Sequence, residues 1–151
     1  MKNSIRLTTA ASILAAIGLT ATGLTGCAGT APTNIGMIEN HLTPCPDSPN
    51  CVASYKEDQK HTIKPIALTG TQAETKAKLL DVLNKLGAKV ITNNNFYIRS
   101  EFTSDLVGFV DDVEFQIQQD GIQVRSASRL GYSDLGANRE RIESIREALA
   151  Q

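Results

Sequence analysis

The sequence of 151 residues has few of the side chains and none of the motifs that mark common enzymes. It contains two histidines, His41 and His61, both in its first half, and three cysteines. No P-loop, GxSxG, HExxH or dinucleotide-binding fingerprint occurs in it. Ser126 and Ser128 have no histidine near them along the chain. These absences exclude the familiar nucleotide-binding, serine-hydrolase and zinc-protease signatures and favour a protein that is not an enzyme.

Acidic residues are missing from the N-terminus, where the sequence predicts an export signal. Lys2 and Arg6 are followed by the uncharged run LTTAASILAAIGLTATG, and LTGC follows at once and ends at Cys27. A basic start, an apolar stretch and small residues before a cleavage point are typical of such a signal. The run of about 17 residues is short and weakly apolar for a membrane-spanning helix. We therefore interpret residues 1–26 as a cleaved signal peptide.

The LTGC stretch resembles the lipobox of bacterial lipoproteins. That resemblance implies cleavage before Cys27, a diacylglycerol thioether on its sulfur and an acylated new N-terminus, with palmitate among the expected chains. Several acyl chains, at about 0.8 kcal/mol per buried CH₂, anchor a protein durably. Ala28, rather than aspartate, favours the outer membrane in a Gram-negative host. We expect a lipid-anchored protein of the cell envelope that faces the periplasm.

Charge and composition after the signal bound the partners of the mature chain. Loss of Lys2 and Arg6 changes the formal net charge from −1 to −3. A mildly acidic protein is poorly suited to nucleic acid, which leaves the membrane, through the lipid on Cys27, and an envelope ligand or protein as partners. Residues 27–40 are small, polar and without periodicity, and they predict a tether. Residues 41–151 then form one domain, for which neither cofactor nor metal is predicted.

The segment CPDSPNC contains two more cysteines, Cys45 and Cys51. Oxidising compartments form disulfides, and the prolines and small polar residues between the two cysteines are turn formers. A disulfide closing so short a loop stabilises by about 2 kcal/mol. This chemistry favours a disulfide, with two free structural thiols as the alternative. A zinc site or a catalytic Cys–His pair is a weaker alternative, because only His41 and His61 could complete it.

Residues 61–86 begin the pattern of a compact domain. The stretch HTIKPIAL, residues 61–68, predicts an edge strand, because Pro65 removes one ladder donor. Thr71 and Glu74 have the spacing of a helix capping box, and Gly87 is a stop signal. Between them lies an apolar stripe at helical spacing, formed by Ala77, Leu79, Leu80, Leu83 and Leu86.

The remaining sequence predicts four strands and a second helix. AKVITNNN and FYIRSEFTS predict two strands, and FVDDVEFQIQQDGIQVRSASRLG predicts a hairpin with a type I′ turn at Asp120–Gly121. NRERIESIREALA predicts a helix with Asn138 as its N-cap. Its apolar face consists of Ile142, Ile145, Ala148 and Leu149. The order β-α-β-β-β-β-α predicts an α+β fold in which two helices cover one face of an antiparallel sheet of about five strands.

The predicted turn also predicts which residues face each other in the hairpin. The inner pairs are Ile117 with Val124, Phe115 with Ser126 and Val113 with Ser128, joined on that face by Phe109 and Ile122. On the other face Asp112 lies opposite Arg129, Glu114 is diagonal to Arg125 and Arg129, and Arg99 and Glu101 alternate likewise. The sheet should therefore have one apolar face and one face rich in paired charges.

Three segments, CPDSPNCVAS, GFVDDVEF and VRSASRLGYSDLGANRERIE, resemble an uncharacterised family of bacteria and plastids, the domain of unknown function DUF1499. The resemblance covers about residues 41–149. It implies a shared domain, frequently associated with the envelope, whose signature includes the two cysteines and the charged motifs. It implies no activity and no catalytic residue. Ala53 stands where serine is more often expected, which weakens any role for a hydroxyl there.

The density of polar residues suggests a binding face. Its candidate residues are Asp111, Asp112, Glu114, Arg125, Ser128, Arg129, Tyr132, Asp134, Asn138 and Arg139. Guanidinium groups beside carboxylates suit a polar or anionic group, so the main hypothesis is a non-catalytic module that binds a ligand or partner. One alternative is a structural scaffold of an envelope complex. A weaker one is a periplasmic enzyme using Asp112 and Glu114, since neighbouring arginines would lower their pKa values and compete with a metal ion.

Overall fold

The structure, a computed structural model, describes residues 28–55 and 57–151. The predicted signal peptide and the predicted lipidation site at Cys27 lie outside these residues. Within them there are seven strands and two helices, in the order β1 (Met37–Ile38), β2 (His41–Leu42), β3 (Cys51–Ala53), α1 (Gln72–Lys85), β4 (Lys89–Asn93), β5 (Tyr97–Thr103), β6 (Val110–Gln118), β7 (Gly121–Ser128) and α2 (Ala137–Ala150). β1 and β2 pair only with each other.

The other five strands form one sheet in the spatial order β3-β7-β6-β5-β4, with every neighbouring pair antiparallel. Both helices pack on one face of this sheet, around buried side chains of β6 and β7. The predicted α+β class and the order β-α-β-β-β-β-α are therefore confirmed for this sheet. The small β1–β2 hairpin precedes it in the chain.

The first strand of the sheet is not where the sequence placed it. The edge strand is β3, whereas residues 61–68 make only two isolated bridges, one of Thr62 to Ala53 and one of Ile66 to Ile122. Pro65 has no N–H between these two bridges, so the segment cannot continue a ladder. It is nevertheless tied to the sheet, because Ile66 and Ile122 exchange backbone hydrogen bonds of 2.9 and 2.7 Å.

Helix α1 follows its sequence signals closely. The Thr71 side chain accepts from the backbone N–H of Glu74, and the Glu74 carboxylate accepts from the N–H of Thr71, which completes the predicted capping box. Gly87 has a left-handed φ of 77° and ends the helix as predicted. The buried residues of the helix are Thr75, Leu79, Val82 and Leu83, whereas Ala77 and Leu86 of the predicted stripe are exposed.

The β6–β7 hairpin turns one residue earlier than predicted. Gln118 pairs with Gly121, so the two-residue loop is Gln119–Asp120, and neither loop residue has the positive φ of a type I′ turn. A Cβ added to Gly121 would lie 3.0 Å from the carbonyl oxygen of Ile66. Gly121 also has a φ of 153°, which L side chains rarely adopt, so glycine is needed for this backbone conformation as well as for the close approach.

The observed register is shifted by two residues from the predicted one. The inner pairs are Ile117 with Ile122, Phe115 with Val124 and Val113 with Ser126, and on the outer face Glu114 lies opposite Arg125 and Asp112 opposite Ala127. The three predicted inner pairs and the predicted Asp112–Arg129 pair are thus wrong as direct neighbours. Because a shift of two preserves the alternation, every strand residue keeps the face that was predicted for it.

The core lies between the helices and the inner face of the sheet. Phe115 is fully buried there against side chains that include Val113, Val124, Leu79, Ile142, Ile145 and Leu149. Two predictions at this level are wrong. Phe109 is 44% exposed in the loop before β6. Asn138 is not the N-cap of α2, since that position is Gly136 and Asn138 is completely buried inside the first turn.

Candidate functional site

The outer face of the sheet, turned away from the helices, carries six charged side chains, four of them linked around Asp112 and the other two paired with each other. They are Arg99 and Glu101 of β5, Asp112 and Glu114 of β6, Arg125 of β7, and Arg129 just after it. Alternation along each strand puts them on this face. We call these six residues the outer network.

Asp112 is the centre of the outer network and is only 1% exposed. Arg99 donates to its Oδ1 from Nε at 3.1 Å and from Nη2 at 2.6 Å. Arg129 donates from Nε to Oδ2 at 2.8 Å and from Nη2 to Oδ1 at 3.0 Å, and Glu101 accepts from both arginines. Burial raises the pKa of Asp112, but the hydrogen bonds from Arg129 and Arg99 outweigh it and hold that pKa below its usual range.

Glu114 is completely buried in the same network. Its carboxylate accepts from Arg125 Nη1 at 3.1 Å, from the Tyr97 hydroxyl at 2.7 Å and from the backbone N–H of Gly36 at 2.7 Å. Burial, followed by the charge of Glu114, raises the pKa of Tyr97, so its hydroxyl stays protonated and donates. Every partner of Glu114 is therefore a hydrogen-bond donor, as a buried carboxylate requires.

Residues 28–46 explain why so charged a face is buried. This segment, which includes part of the predicted tether, lies across the outer face, with β2 in contact with β6 and β7. Gly36 donates to Glu114, and the carbonyl of Asn40 accepts from Gln116 Nε2 at 2.6 Å. A disulfide between Cys45 and Cys51, whose Cα atoms are 5.7 Å apart, joins the end of the segment to β3. The pairing favoured for these cysteines is thus confirmed.

A pocket of about 370 Å³ lies between this covering segment and the sheet. The covering wall consists of Thr30, Pro32, Asn34, Thr43, Pro44, Cys45 and Pro46, and the floor consists of Asp112, Arg125, Ala127, Ser128 and Arg129. Arg125 is 4% exposed, and its Nε has no hydrogen-bond partner among the residues that the structure describes. A buried donor of a charged group is costly to leave unpaired, so this atom indicates a place for an external acceptor.

A second polar cluster lies on the inner side, at the start of α2, and is built around Asn138. Its Oδ1 accepts from Ser126 Oγ at 2.5 Å and from Arg141 Nη1 at 2.9 Å. Its Nδ2 lies 2.8 Å from Asp134 Oδ2 and 3.0 Å from both Ser128 Oγ and the Asn50 carbonyl. These contacts join the disulfide loop, β7 and α2, so the cluster holds three elements together.

Asp134 takes the capping role that the sequence had suggested for Asn138. Its carboxylate accepts from the backbone N–H groups of Gly136 at 3.1 Å and Asn138 at 2.8 Å. Burial raises the pKa of Asp134, but these bonds outweigh it and the net shift is downward. An anion at the start of α2 also complements the positive end of the helix dipole.

The structure divides the ten predicted binding-face residues among several places. Asp112, Glu114, Arg125 and Arg129 belong to the outer network, and all but Glu114 line the pocket. Asp111, Ser128, Asp134 and Asn138 lie around the inner cluster, where Asp111 accepts from Arg141 Nη2 at 2.5 Å. Tyr132 is 75% exposed in a loop, and Arg139 donates to the carbonyl of Lys60 at 3.3 Å.

Several contributors to the site were missed from the sequence. Tyr97 shares the alternation of Arg99 and Glu101 on β5, so strand periodicity alone could have placed it beside Glu114. Gly36, Thr30 and the rest of the covering wall carry no periodic signal, and nothing local indicates that they lie on the sheet. Among the described residues, no group of three or more His, Cys, Asp or Glu side chains is arranged to hold a metal ion.

The fold and the buried outer network define a small α+β domain with an internal polar site. Residues 41–149 match the family described as "Protein of unknown function (DUF1499)", and the chain belongs to that family. A comparison with curated proteins returned no match. In the part of the chain that the structure describes, no helix has the length and apolar character needed to cross a membrane.

Proposed function

We propose that this chain is a non-catalytic binding module of the cell envelope, held at a membrane by lipid on Cys27. It binds a small anionic ligand in the pocket between residues 28–46 and the sheet. The observation that carries the proposal is Arg125, a buried residue of the pocket lining whose Nε has no hydrogen-bond partner among the described residues. A ligand oxygen accepting from this group would satisfy a donor that the described residues leave unpaired.

The chemistry of the pocket supports an anion rather than a cation. Asp112 is the carboxylate in the floor of the pocket. Both of its oxygens already accept hydrogen bonds from arginines, so they offer little to a positively charged ligand. Arg125 and Arg129 line the same pocket, with Thr43 and Asn34 in its covering wall. Guanidinium groups are suited to carboxylate and phosphate oxygens.

The same contacts weaken the enzyme alternative. A general base needs a carboxylate that is free to take a proton, but Asp112 is held ionised and its oxygens are occupied by Arg99 and Arg129. Glu114 is enclosed by three donors, including the Gly36 N–H. Asp112 lines the pocket but both of its oxygens already accept from arginines, and Glu114 does not line the pocket, so we assign both to binding and support rather than to catalysis.

The envelope location rests on two observations. The LTGC stretch resembles a lipobox, and it directly precedes the described residues. The disulfide between Cys45 and Cys51 fits an oxidising compartment outside the cytoplasm. Acyl labelling of the wild-type protein that is lost in Cys27→Ser would support the anchor, and an unlabelled wild type would contradict it.

The binding proposal is tested by filling the pocket without changing its charge. Ala127 is nearly buried in the pocket floor, so Ala127→Leu should occlude ligand while leaving every ionic partner in place. Thermal unfolding of the full-length protein is followed with inorganic phosphate, sulfate, small carboxylates and an aqueous envelope extract. A ligand at 100 times its Kd stabilises by about 2.7 kcal/mol, a readily measured rise in Tm.

Ala67→Leu is the matched control, because Ala67 is exposed and lies outside this pocket. We expect a probe to raise the Tm of the wild type and of Ala67→Leu but not that of Ala127→Leu. An equal rise in Ala127→Leu would place the ligand elsewhere. No rise in the wild type with any probe would favour the scaffold alternative, in which the outer network serves only the fold.

A further inference from the structure

Two loops at one end of the sheet expose large apolar side chains. They are residues 104–109, between β5 and β6, and residues 129–136, between β7 and α2. The exposed side chains are Leu106 at 98%, Val107, Phe109, Leu130, Tyr132 at 75% and Leu135 at 94%. We call this set the apolar end. Large apolar side chains exposed together at one end of a small domain commonly mark an interaction surface.

The two loops are neighbours because of the strand order. β6 begins where β7 ends, and the N–H of Arg129 donates to the carbonyl of Val110 at 3.1 Å. The opposite end of the sheet holds the Gln119–Asp120 turn and Phe96, whose carbonyl accepts from the N–H of Ile117. The apolar end is therefore one side of the domain.

The N-terminal segment reaches the sheet at this same end. Gly29 packs so closely there that an added Cβ would lie 3.0 Å from both Arg129 Cβ and Leu130 Cγ. Cys27 is two residues before Gly29, and two extended residues span about 7 Å at most. The proposed lipid attachment point can therefore lie no more than about 7 Å from Gly29, which packs beside Leu130 of the apolar end.

The backbone at Leu135 holds an apolar side chain outward at a cost. Leu135 has a φ of 54°, in the left-handed region that a bulky residue seldom adopts. The flanking bonds fix it there, since Ser133 Oγ accepts from its N–H and Asp134 accepts from the N–H of Gly136. A strained leucine that is almost fully exposed gains nothing from the domain itself, which indicates a partner outside it.

We propose that the apolar end is a membrane-contacting surface, which inserts its side chains into the lipid interface beside the acylated Cys27. This inference rests on the proposed anchor, because the short tether is what selects a bilayer as the occupant. Tyr132 suits the boundary between acyl chains and water, and Leu106 and Leu135 suit the region just beneath it. In this orientation the pocket, whose lining includes Thr30 and Arg129, opens near the lipid head groups.

The chain contains no tryptophan, so one introduced tryptophan reports its own surroundings. Leu106→Trp and Leu135→Trp place it at the apolar end, and Phe96→Trp, at a site 58% exposed at the opposite end, is the matched control. The full-length protein is reconstituted in vesicles of phosphatidylethanolamine and phosphatidylglycerol, with and without brominated acyl chains. We expect a shift to shorter wavelength and several-fold stronger quenching for the first two variants than for Phe96→Trp.

The intact mass of the protein in the same preparations shows whether Cys27 carries lipid. This measurement tests the proposed lipid anchor independently of the proposed membrane-contacting surface. Quenching at the apolar end without acylation would support the surface and contradict the anchor. Acylated protein with equal quenching at all three positions, or with none, would overturn the surface, as would protein that is neither acylated nor quenched. A wavelength shift in vesicle-free solution that grows with protein concentration would assign the apolar end to a second copy and overturn the membrane assignment.

Discussion

The two faces of β6 are both buried, but by different means. On the inner face Val113, Phe115 and Ile117 pack beneath the helices. On the outer face Asp112, Glu114 and Gln116 are covered by residues 28–46. An alternating strand of this kind usually has one face in water, so the strand pattern alone predicts a solvated outer face.

The difference concerns what each burial requires. Apolar side chains gain stability in proportion to the area removed from water, with little demand on direction. Buried carboxylates require paired donors, and the outer face supplies them through Arg99, Arg125, Arg129 and the Gly36 N–H. Among the residues that the structure describes, a buried charged donor without a partner, Arg125 Nε, occurs on the outer face. The outer face is therefore where a ligand could supply a hydrogen-bond acceptor that the fold does not provide.

The largest expected effect is on the inner face. Phe115→Ala removes a fully buried ring and should lower the free energy of unfolding by about 3–5 kcal/mol, measured by urea denaturation. The control is Phe96→Ala at an exposed site, where we expect a change within about 0.5 kcal/mol. A loss below about 1 kcal/mol in Phe115→Ala would mean that the core collapses around the gap.

The next largest expected effect comes from the buried ion pair between Arg125 and Glu114 on the outer face. Arg125→Met should cost about 3 kcal/mol, because it leaves the carboxylate of Glu114 buried without its cation. Adding Glu114→Gln should recover most of that loss, since an amide oxygen can still accept from the Tyr97 hydroxyl. The two single variants and the double variant form a cycle in chemical denaturation. Additive losses would show that the pair is not coupled.

The smallest expected effect is a dependence of stability on pH, which arises from the carboxylates of Asp112 and Asp134. The pKa of Asp112 is lower in the folded protein than its ordinary value, so its contribution is present above that value and lost as pH falls through the folded pKa. The unfolding midpoint should be level from about pH 8 to about pH 5 and fall below about pH 4. Asp112→Asn should flatten part of this fall, and Asp134 should account for some of the rest. Parallel profiles for wild type and variant would contradict this assignment.

Features determined locally could be predicted from the sequence. Helix α1 follows from the Thr71–Glu74 capping box and from Gly87, all within one stretch of chain. The face of each residue on β6 and β7 follows from alternation, which survives a register error of two. The charges of the outer network could therefore be grouped correctly, and the ion pairs Asp112–Arg129 and Glu114–Arg125 form, even though the predicted register was wrong.

Features determined by distant contacts could not be predicted. Gly121 looks like part of a turn, but its lack of a side chain serves the approach of Ile66. Asn138 looks like a helix cap, but Asp134 takes that role, and the buried side chain of Asn138 accepts a hydrogen bond from Ser126 of β7 instead. Residues 28–40 have no periodicity, because they are positioned by single hydrogen bonds to the sheet rather than by an apolar stripe.

The covering segment also sets how the domain responds to a mechanical load. If the proposed anchor holds, a pull on it would enter the domain at Gly29 and act first on residues 30–44, which are held by bonds such as those of Gly36 and Asn40. The Cys45–Cys51 crosslink then passes the load directly into β3 and bypasses the loop between them. Tension would therefore peel open the pocket wall while the five-stranded sheet stays intact.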